Sequence, residues 1–310
     1  MVSCPKVPVD KGLGATSTDV TTERGAGATF VDAPGAKLAV YSRGATREDP
    51  VFLLHGGPGV PDYLADVAGL LAPRHRVIRY DQRGTGRSVD HDGRFGLAEH
   101  VEDLEAIRAA HGYERVGLFG HSWGGTLAQL YARRYPERVA KMFLCDSGIG
   151  LGEDWKEMEK AVMAHNRGRG GKGGFALMGL YQLASMLPGG LGDRGARRLM
   201  ALVWRNYFDP PSSAPPPDAS WLEGVRSKPM HETRKAALEA EASLLEGIAP
   251  PSGTRISILF GSEDIYGATA ERLFARYPEA RHVVLKNTGH LPWLQNPEAF
   301  RSELCAFFGC

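Results

Sequence analysis

Ser122 lies in Gly120-His121-Ser122-Trp123-Gly124-Gly125, a G-x-S-x-G arrangement that follows the apolar run Val116-Gly117-Leu118-Phe119 and opens an amphipathic stretch ending before Pro136. Where a strand turns into a helix over one residue, that residue is forced into a strained conformation and its side chain is lifted above the sheet. A serine so placed can act as a nucleophile, provided a base removes its proton and an acid orients the base. Asp264, in Gly261-Ser262-Glu263-Asp264, follows an apolar run that ends at Phe260, and His290, in Thr288-Gly289-His290, follows one that ends at Leu285. The order Ser, Asp, His is the one expected on a strand-helix sheet of this kind. His55 and His121 are rival bases and Glu263 and Asp146 rival acids. Chain order selects His290 and Asp264, whereas His55 is read as a brace for its own loop.

Attack on a carbonyl also needs donors for the developing negative oxygen. The backbone amide of Trp123, at the start of the helix, has no intrahelical acceptor and is the natural first donor. The second is expected from Gly57, in His55-Gly56-Gly57-Pro58-Gly59 after the apolar run Val51-Phe52-Leu53-Leu54.

These residues need a frame that gathers them at one edge. Two short strands around Pro34-Gly35 read as an entry hairpin, and apolar runs at 51–54, 76–80, 116–119, 139–145, 256–260 and 282–285 alternate with helical patterns. Alternation of this kind implies parallel strands with helical crossovers, and such sheets collect ligands at the carboxyl ends of their strands. Asn296 is expected to cap the last helix, with Pro297 at its first position. The fold class is α/β: a mostly parallel central sheet flanked by helices, with a helical cap inserted after the sixth strand. The catalytic domain is assigned to 28–146 and 251–310, the cap to 147–250, and a loose arm to 1–27.

Composition narrows the partners. Thirty-seven Lys and Arg against 36 Asp and Glu leave a net charge of +1, too little to recruit a phosphate backbone. Nucleic acid is not expected. No run approaches the roughly 20 apolar residues of a spanning helix, so no membrane partner is expected either. Four cysteines, two of them near the termini, make no disulfide framework; with no apolar leader in the first 29 residues, the cytoplasm is the expected compartment. The tract 167–174 departs from a phosphate loop at Asn166 and Gly173 and reads as a linker. His231-Glu232 lacks a second histidine at Lys235, so no metal and no cofactor are expected.

Taken together, His55-Gly56-Gly57-Pro58-Gly59, Asp81-Gln82-Arg83-Gly84-Thr85-Gly86-Arg87-Ser88, the serine motif and Gly289-His290 resemble the proline iminopeptidase family of α/β-hydrolases. The resemblance implies the α/β-hydrolase fold and a serine peptidase-type hydrolase that removes N-terminal proline. It implies Ser122, Asp264 and His290 as triad, Gly57 and Trp123 as oxyanion donors, and a bracing role for Asp81 and Arg83. The resemblance fades in the cap, where Trp204-Arg205-Asn206-Tyr207-Phe208 replaces the family's acid-containing segment. Glu223, Glu232, Glu239 and Glu241 are the cap acids considered for an α-ammonium, with Glu223 and Glu239 as the site candidates, and of Trp155, Tyr181, Trp204, Tyr207, Phe208 and Trp221 the residues Trp204, Tyr207 and Phe208 are the candidates for an apolar lining. A small-molecule or short-peptide substrate is expected. The alternatives are a carboxylesterase or amidase for a small metabolite, and a receptor-like binding protein on the same fold.

Overall fold

The computed structural model describes residues 27–44, 50–245 and 254–310. The first 26 residues, which hold nearly all of the expected arm, lie outside the described residues. The chain opens with β1 (Thr29–Ala33) and β2 (Ala36–Arg43), then alternates β3 (Val51–Leu54), α1 (Ala65–Leu71), β4 (Val77–Tyr80), β5 (Val89–Asp90), α2 (Leu97–Ala110), β6 (Val116–His121), α3 (Trp123–Arg134) and β7 (Val139–Cys145). Helices α4 (Glu153–Ser185), α5 (Gly189–Trp204), α6 (Ala219–Glu223) and α7 (Ser227–Glu239) follow. The alternation then resumes with β8 (Arg255–Gly261), α8 (Glu271–Arg276), β9 (Arg281–Leu285), α9 (Pro292–Gln295) and α10 (Pro297–Phe308).

The strands form one sheet in the order β1-β2-β4-β3-β6-β7-β8-β9, with the short β5 on the side of β2. Pairing is antiparallel through β1, β2 and β4 and parallel from β4 to β9. The central strands β3, β4 and β6 are buried at every residue. Helices cover both faces of strands like these, which is why they read as continuous apolar runs rather than alternating ones. Parallel register sets Leu54 of β3 beside Gly120 of β6, and His121 beside Cys145 of β7. The loops after β3, β6 and β7 therefore emerge together.

Three local expectations are corrected. The glycine tract is part of α4, which bends at Gly171 (φ 62°) instead of opening into a linker; backbone hydrogen bonding around one left-handed glycine tolerates the composition. Asn296 does stand before Pro297, but its side chain makes no cap and its Nδ2 donates to Thr288 Oγ1 at 3.4 Å. Cys305 and Cys310 form a disulfide, because left-handed Gly309 (φ 88°) reverses the chain at the end of α10 and brings the two Cα atoms to 4.6 Å. That pair removes the support cysteine usage lent to a reducing compartment. Cys145 is buried and free. Among the described residues no helix is long and apolar enough to cross a membrane.

One interior ion pair fixes the loop after β4. Arg83 Nε and Nη2 donate to Asp103 at 2.8 and 2.6 Å, while Nη1 donates to the Arg94 carbonyl at 2.8 Å. Both side chains are fully buried. Removing one partner strands the other charge in the interior, so Asp103→Ala is expected to lower the unfolding free energy by about 3–5 kcal/mol. Urea denaturation monitored by circular dichroism tests this; a loss under about 1 kcal/mol, the size of a surface pair, would contradict a bracing role.

Candidate active site

Ser122 is held at φ 56°, ψ −127° between β6 and α3, a conformation an L-residue adopts only where its surroundings enforce it. Here they do. The Ser122 amide donates to the carbonyls of Cys145 and Asp146 at 3.2 and 3.1 Å, and its own carbonyl accepts from Gly125 and Gly148. The motif's glycines let helix and sheet approach. A Cβ on Gly124 would fall 2.0 Å from the Leu54 carbonyl oxygen, so the close contact between α3 and β3 excludes any side chain there.

Below the elbow, His290 Nδ1 is bonded to Asp264 Oδ2 at 2.5 Å, and Tyr266 N donates to Asp264 Oδ1 at 2.9 Å. His290 is fixed through its main chain as well: its N–H donates to the Tyr207 carbonyl at 2.8 Å and its carbonyl accepts from His121 Nε2 at 2.7 Å. With Nδ1 engaged by the carboxylate, Nε2 is the ring atom left for proton transfer. Ser122, Asp264 and His290 are all buried. The hydrogen bond recorded for Ser122 Oγ runs to Tyr266 Oη, at 3.0 Å, and not to His290 as chain order alone suggests. The Tyr266 ring also meets the His290 ring edge-on at 5.3 Å. Burial and the nearby Asp264 charge drive the Tyr266 phenol far above its ordinary pKa, so it remains a neutral donor or acceptor.

Tyr63, like Tyr266, carried no motif in the sequence. Its hydroxyl accepts from Gly56 N at 2.7 Å and contacts His121 Nδ1 at 2.6 Å. His121 Nε2 donates to the His290 carbonyl, so Nδ1 is the acceptor and Tyr63 the donor. Burial, then the proximity of His290, holds the His121 pKa well below the usual histidine range, in keeping with this neutral tautomer. A single run of hydrogen bonds thus ties the loop after β3 to the elbow and to the main chain of His290. His121 is a scaffold element rather than a base. His55 braces its loop: Gln82 N donates to its Nε2 at 3.2 Å and its Nδ1 contacts the Gly56 carbonyl at 2.8 Å. Gln82 completes the frame by donating to the His55 carbonyl and accepting from the Trp123 indole, at 2.8 and 2.9 Å. Asp81 accepts from the amides of Asp62 and Arg87 and from Tyr41.

Gly57 has φ 126° and precedes Pro58 through a cis bond; Trp123 begins α3 directly after Ser122. A Cβ on neighbouring Gly56 would lie 2.8 Å from Ser122 Cβ, so the loop after β3 touches the elbow. Of the residues considered for the lining, Tyr207 stacks edge-on to His290 at 5.2 Å. Phe208 is buried in the core against Trp204, at 5.3 Å between rings, and Trp204 also meets Trp221 at 5.8 Å. These two pack the lid. Glu223 is exposed at the mouth of a different cavity, of about 490 Å³, whose lining includes Arg79, Arg197 and Arg226, and Glu239 is exposed on α7. Both acids follow the solvated face of short helices, so the expectation that they reach the reacting centre is corrected.

Asp146, at φ 41° after β7, lies under the pair. Its Oδ1 accepts from Gly261 N at 2.8 Å, and burial followed by the charge of Asp264 raises its pKa well above the carboxylate range. Ligand atoms of Asp146, Asp264 and His290 fall within 4.8 Å of one another. Asp146 Oδ1 and Asp264 Oδ1 are engaged by backbone amides, Asp264 Oδ2 by His290 Nδ1, and Asp146 Oδ2 by the Cys145 thiol at 3.4 Å, so the cluster reads as a hydrogen-bonded chain and not a metal cage.

Another buried histidine, on α2, gives a pH handle. His100 Nε2 contacts Thr233 Oγ1 of α7 at 2.9 Å, and Thr233 donates to the Phe95 carbonyl at 3.0 Å. Thr233 is therefore the acceptor from Nε2–H, while Nδ1 is buried with no partner among the described residues. Burial lowers the His100 pKa to about 3. The unfolded chain takes up the proton near pH ~6.5, so stability is full above that and falls as pH drops toward 3. The thermal unfolding temperature is expected to fall between about pH 7.5 and pH 5, and less steeply in His100→Gln. An equal slope would remove His100 as the cause.

A model of the alpha/beta hydrolase fold family matches residues 49–171. The chain is 37% identical over 111 residues to a proline iminopeptidase of Xylella fastidiosa, a match covering 34% of each protein. It thus spans about a third of the length of the curated relatives it matches. Two solved structures share the fold. One is a thermophilic esterase from Thermogutta terrifontis, with TM-score 0.66, 21% identity, and 92% and 98% of the two chains covered. The other is a proline iminopeptidase-related protein from Thermus thermophilus, with TM-score 0.64, 24% identity, and 91% and 98% covered. The chain carries an α/β-hydrolase domain, and in sequence it resembles the proline iminopeptidases.

Proposed function

We propose that the chain is a serine hydrolase that cleaves a carboxylic ester or amide through an acyl-enzyme. The observation that carries this reading is the 2.5 Å Asp264–His290 bond beneath a serine held in a strained elbow. Ser122 attacks the carbonyl carbon as His290 Nε2 takes its proton, and Asp264 stabilises the imidazolium. The Trp123 and Gly57 amides receive the oxyanion, each such donor contributing about 3 kcal/mol to the barrier. His290 returns the proton to the leaving group, then activates water to release the acid. Before attack the Ser122 hydroxyl exchanges Tyr266 for His290, a reorientation that substrate binding induces when its carbonyl displaces the phenol.

Among substrates, the surroundings favour a neutral ester or amide. Tyr207 and Tyr266 lie edge-on to His290, and Tyr63 and Trp293 pack on the adjoining His121, while Glu223 and Glu239, candidates for an α-ammonium, are exposed elsewhere. The second reading, an aminopeptidase for N-terminal proline, rests on the 37% identity to a protein of that name. A fluorophosphonate probe should label Ser122, and p-nitrophenyl esters should turn over faster than proline β-naphthylamide. Absence of labelling in folded protein favours a receptor-like role and defeats the hydrolase reading; the reverse substrate preference restores the aminopeptidase.

A further inference from the structure

The far half of α4 and the turn into α5 present an unusual surface. Leu180, Leu183, Met186, Leu187 and Leu191 are between 49% and 66% exposed, and Leu177 is 37% exposed. Positions 177, 180 and 183 recur at helical spacing on α4, so these side chains form one stripe, and Met186 and Leu187 continue it onto the turn. The opposite side of the helix is the buried one, carrying Met178 and Ser185. A contiguous apolar stripe turned outward marks a contact surface.

Charge selects what it contacts. Residues 160–192 contain no Asp or Glu and four cations, Lys160, Arg167, Arg169 and Lys172. Lys172 is exposed at the start of the stripe, and exposed Arg194 and Arg198 flank it on α5, with the Arg198 guanidinium 6.0 Å from the ring of Tyr181 on α4. The nearest acid along the chain, Asp193, is taken up by Ser227, whose N and Oγ donate to it at 2.8 and 3.1 Å. A second copy docked about a two-fold axis would set this patch against itself. Lys172, Arg194 and Arg198 would then face like charges, with no acid in 160–192 to meet them. A surface that is apolar inside and anionic at its rim satisfies both halves of the patch at once.

We propose that the α4–α5 tip is a docking surface for an anionic phospholipid bilayer, which the protein touches without spanning. Leucines enter the acyl boundary while Lys172, Arg194 and Arg198 lie among the headgroup phosphates. Binding of this kind needs no spanning helix.

The full chain is sedimented with vesicles of pure phosphatidylcholine and of phosphatidylcholine with about a third phosphatidylglycerol. We expect partition onto the anionic vesicles at least about tenfold above the neutral ones, weakened by ~1 M salt as surface charges are screened. Leu180→Ser combined with Leu183→Ser, and separately Lys172→Glu combined with Arg198→Glu, should each lower that partition about tenfold or more. These positions are solvent-exposed, and an unchanged melting temperature verifies that the variants fold. Equal partition on both vesicles, none on either, or no response to the leucine substitutions overturns the proposal. So does concentration-dependent dimerisation that the leucine substitutions abolish in a protein that does not bind vesicles, since the patch then belongs to a second copy.

Discussion

Ser122→Ala is expected to reduce kcat/KM on the best p-nitrophenyl ester by about 10⁴-fold or more, and His290→Ala by a similar factor. The reason is that the two residues make one device. Without the hydroxyl, the imidazole has no proton to take; without the imidazole, the hydroxyl keeps its proton and attacks poorly. The double variant should therefore be no worse than either single one, within a few-fold, and what activity persists would come from the Trp123 and Gly57 amides acting on bound substrate. Ser122 is only 7% exposed, yet replacing its hydroxyl removes just the bond to Tyr266; releasing the left-handed strain is not available to alanine either. The melting temperature should thus shift little. Steady-state kinetics on purified variants decide the matter. Residual activity within about tenfold of the parent for Ser122→Ala would remove the nucleophile and with it the acyl-enzyme.

Motif-bearing residues were legible because their chemistry depends on local backbone. Gly120 to Gly125 dictates an elbow wherever it falls between a buried strand and a helix, and the loops bearing Asp264 and His290 follow recognisable apolar runs. The parallel sheet was legible for the same reason: strands buried on both faces are apolar at every position. Tyr63 and Tyr266 were not legible, nor was the role of Gln82 inside its motif, since a tyrosine or glutamine becomes part of a site through tertiary contact. Tyr63 sits 58 positions before the His121 it touches, and Tyr266 lies 144 positions after Ser122. One weak signal existed for Tyr266, its place two residues past Asp264 in the same loop. Within the insertion, the sequence offers Glu223 and Glu239 only as acids, while the direction each helix faces decides where they lie, and both are exposed. The Arg167 to Gly174 tract, low in helix propensity and mostly exposed, nevertheless continues α4 around the bend at Gly171.

Asp264→Asn is expected to lower kcat about 10⁴-fold near neutral pH, because an amide facing Nδ1 holds the imidazole in the wrong tautomer and offers no charge to the imidazolium. The carboxyl below it makes this variant diagnostic. In the parent, burial and then the Asp264 charge raise the Asp146 pKa well above the carboxylate range, which favours its neutral, hydrogen-bond-donating form. Asp146→Asn preserves such a donor, so that variant should retain activity within a few-fold. Once Asp264 is neutral, its charge no longer raises the Asp146 pKa, while burial still does. Its pKa falls from the parent value, and it ionises as pH rises, beside the same imidazole. Residual activity of Asp264→Asn should therefore rise with pH more steeply than that of the parent, and Asp146→Asn combined with Asp264→Asn should lose the rise. The pH–rate profiles of the three variants test this directly. An Asp264→Asn loss under about tenfold would reassign the acid to Asp146, and a flat profile would confine Asp146 to holding the Gly261 amide.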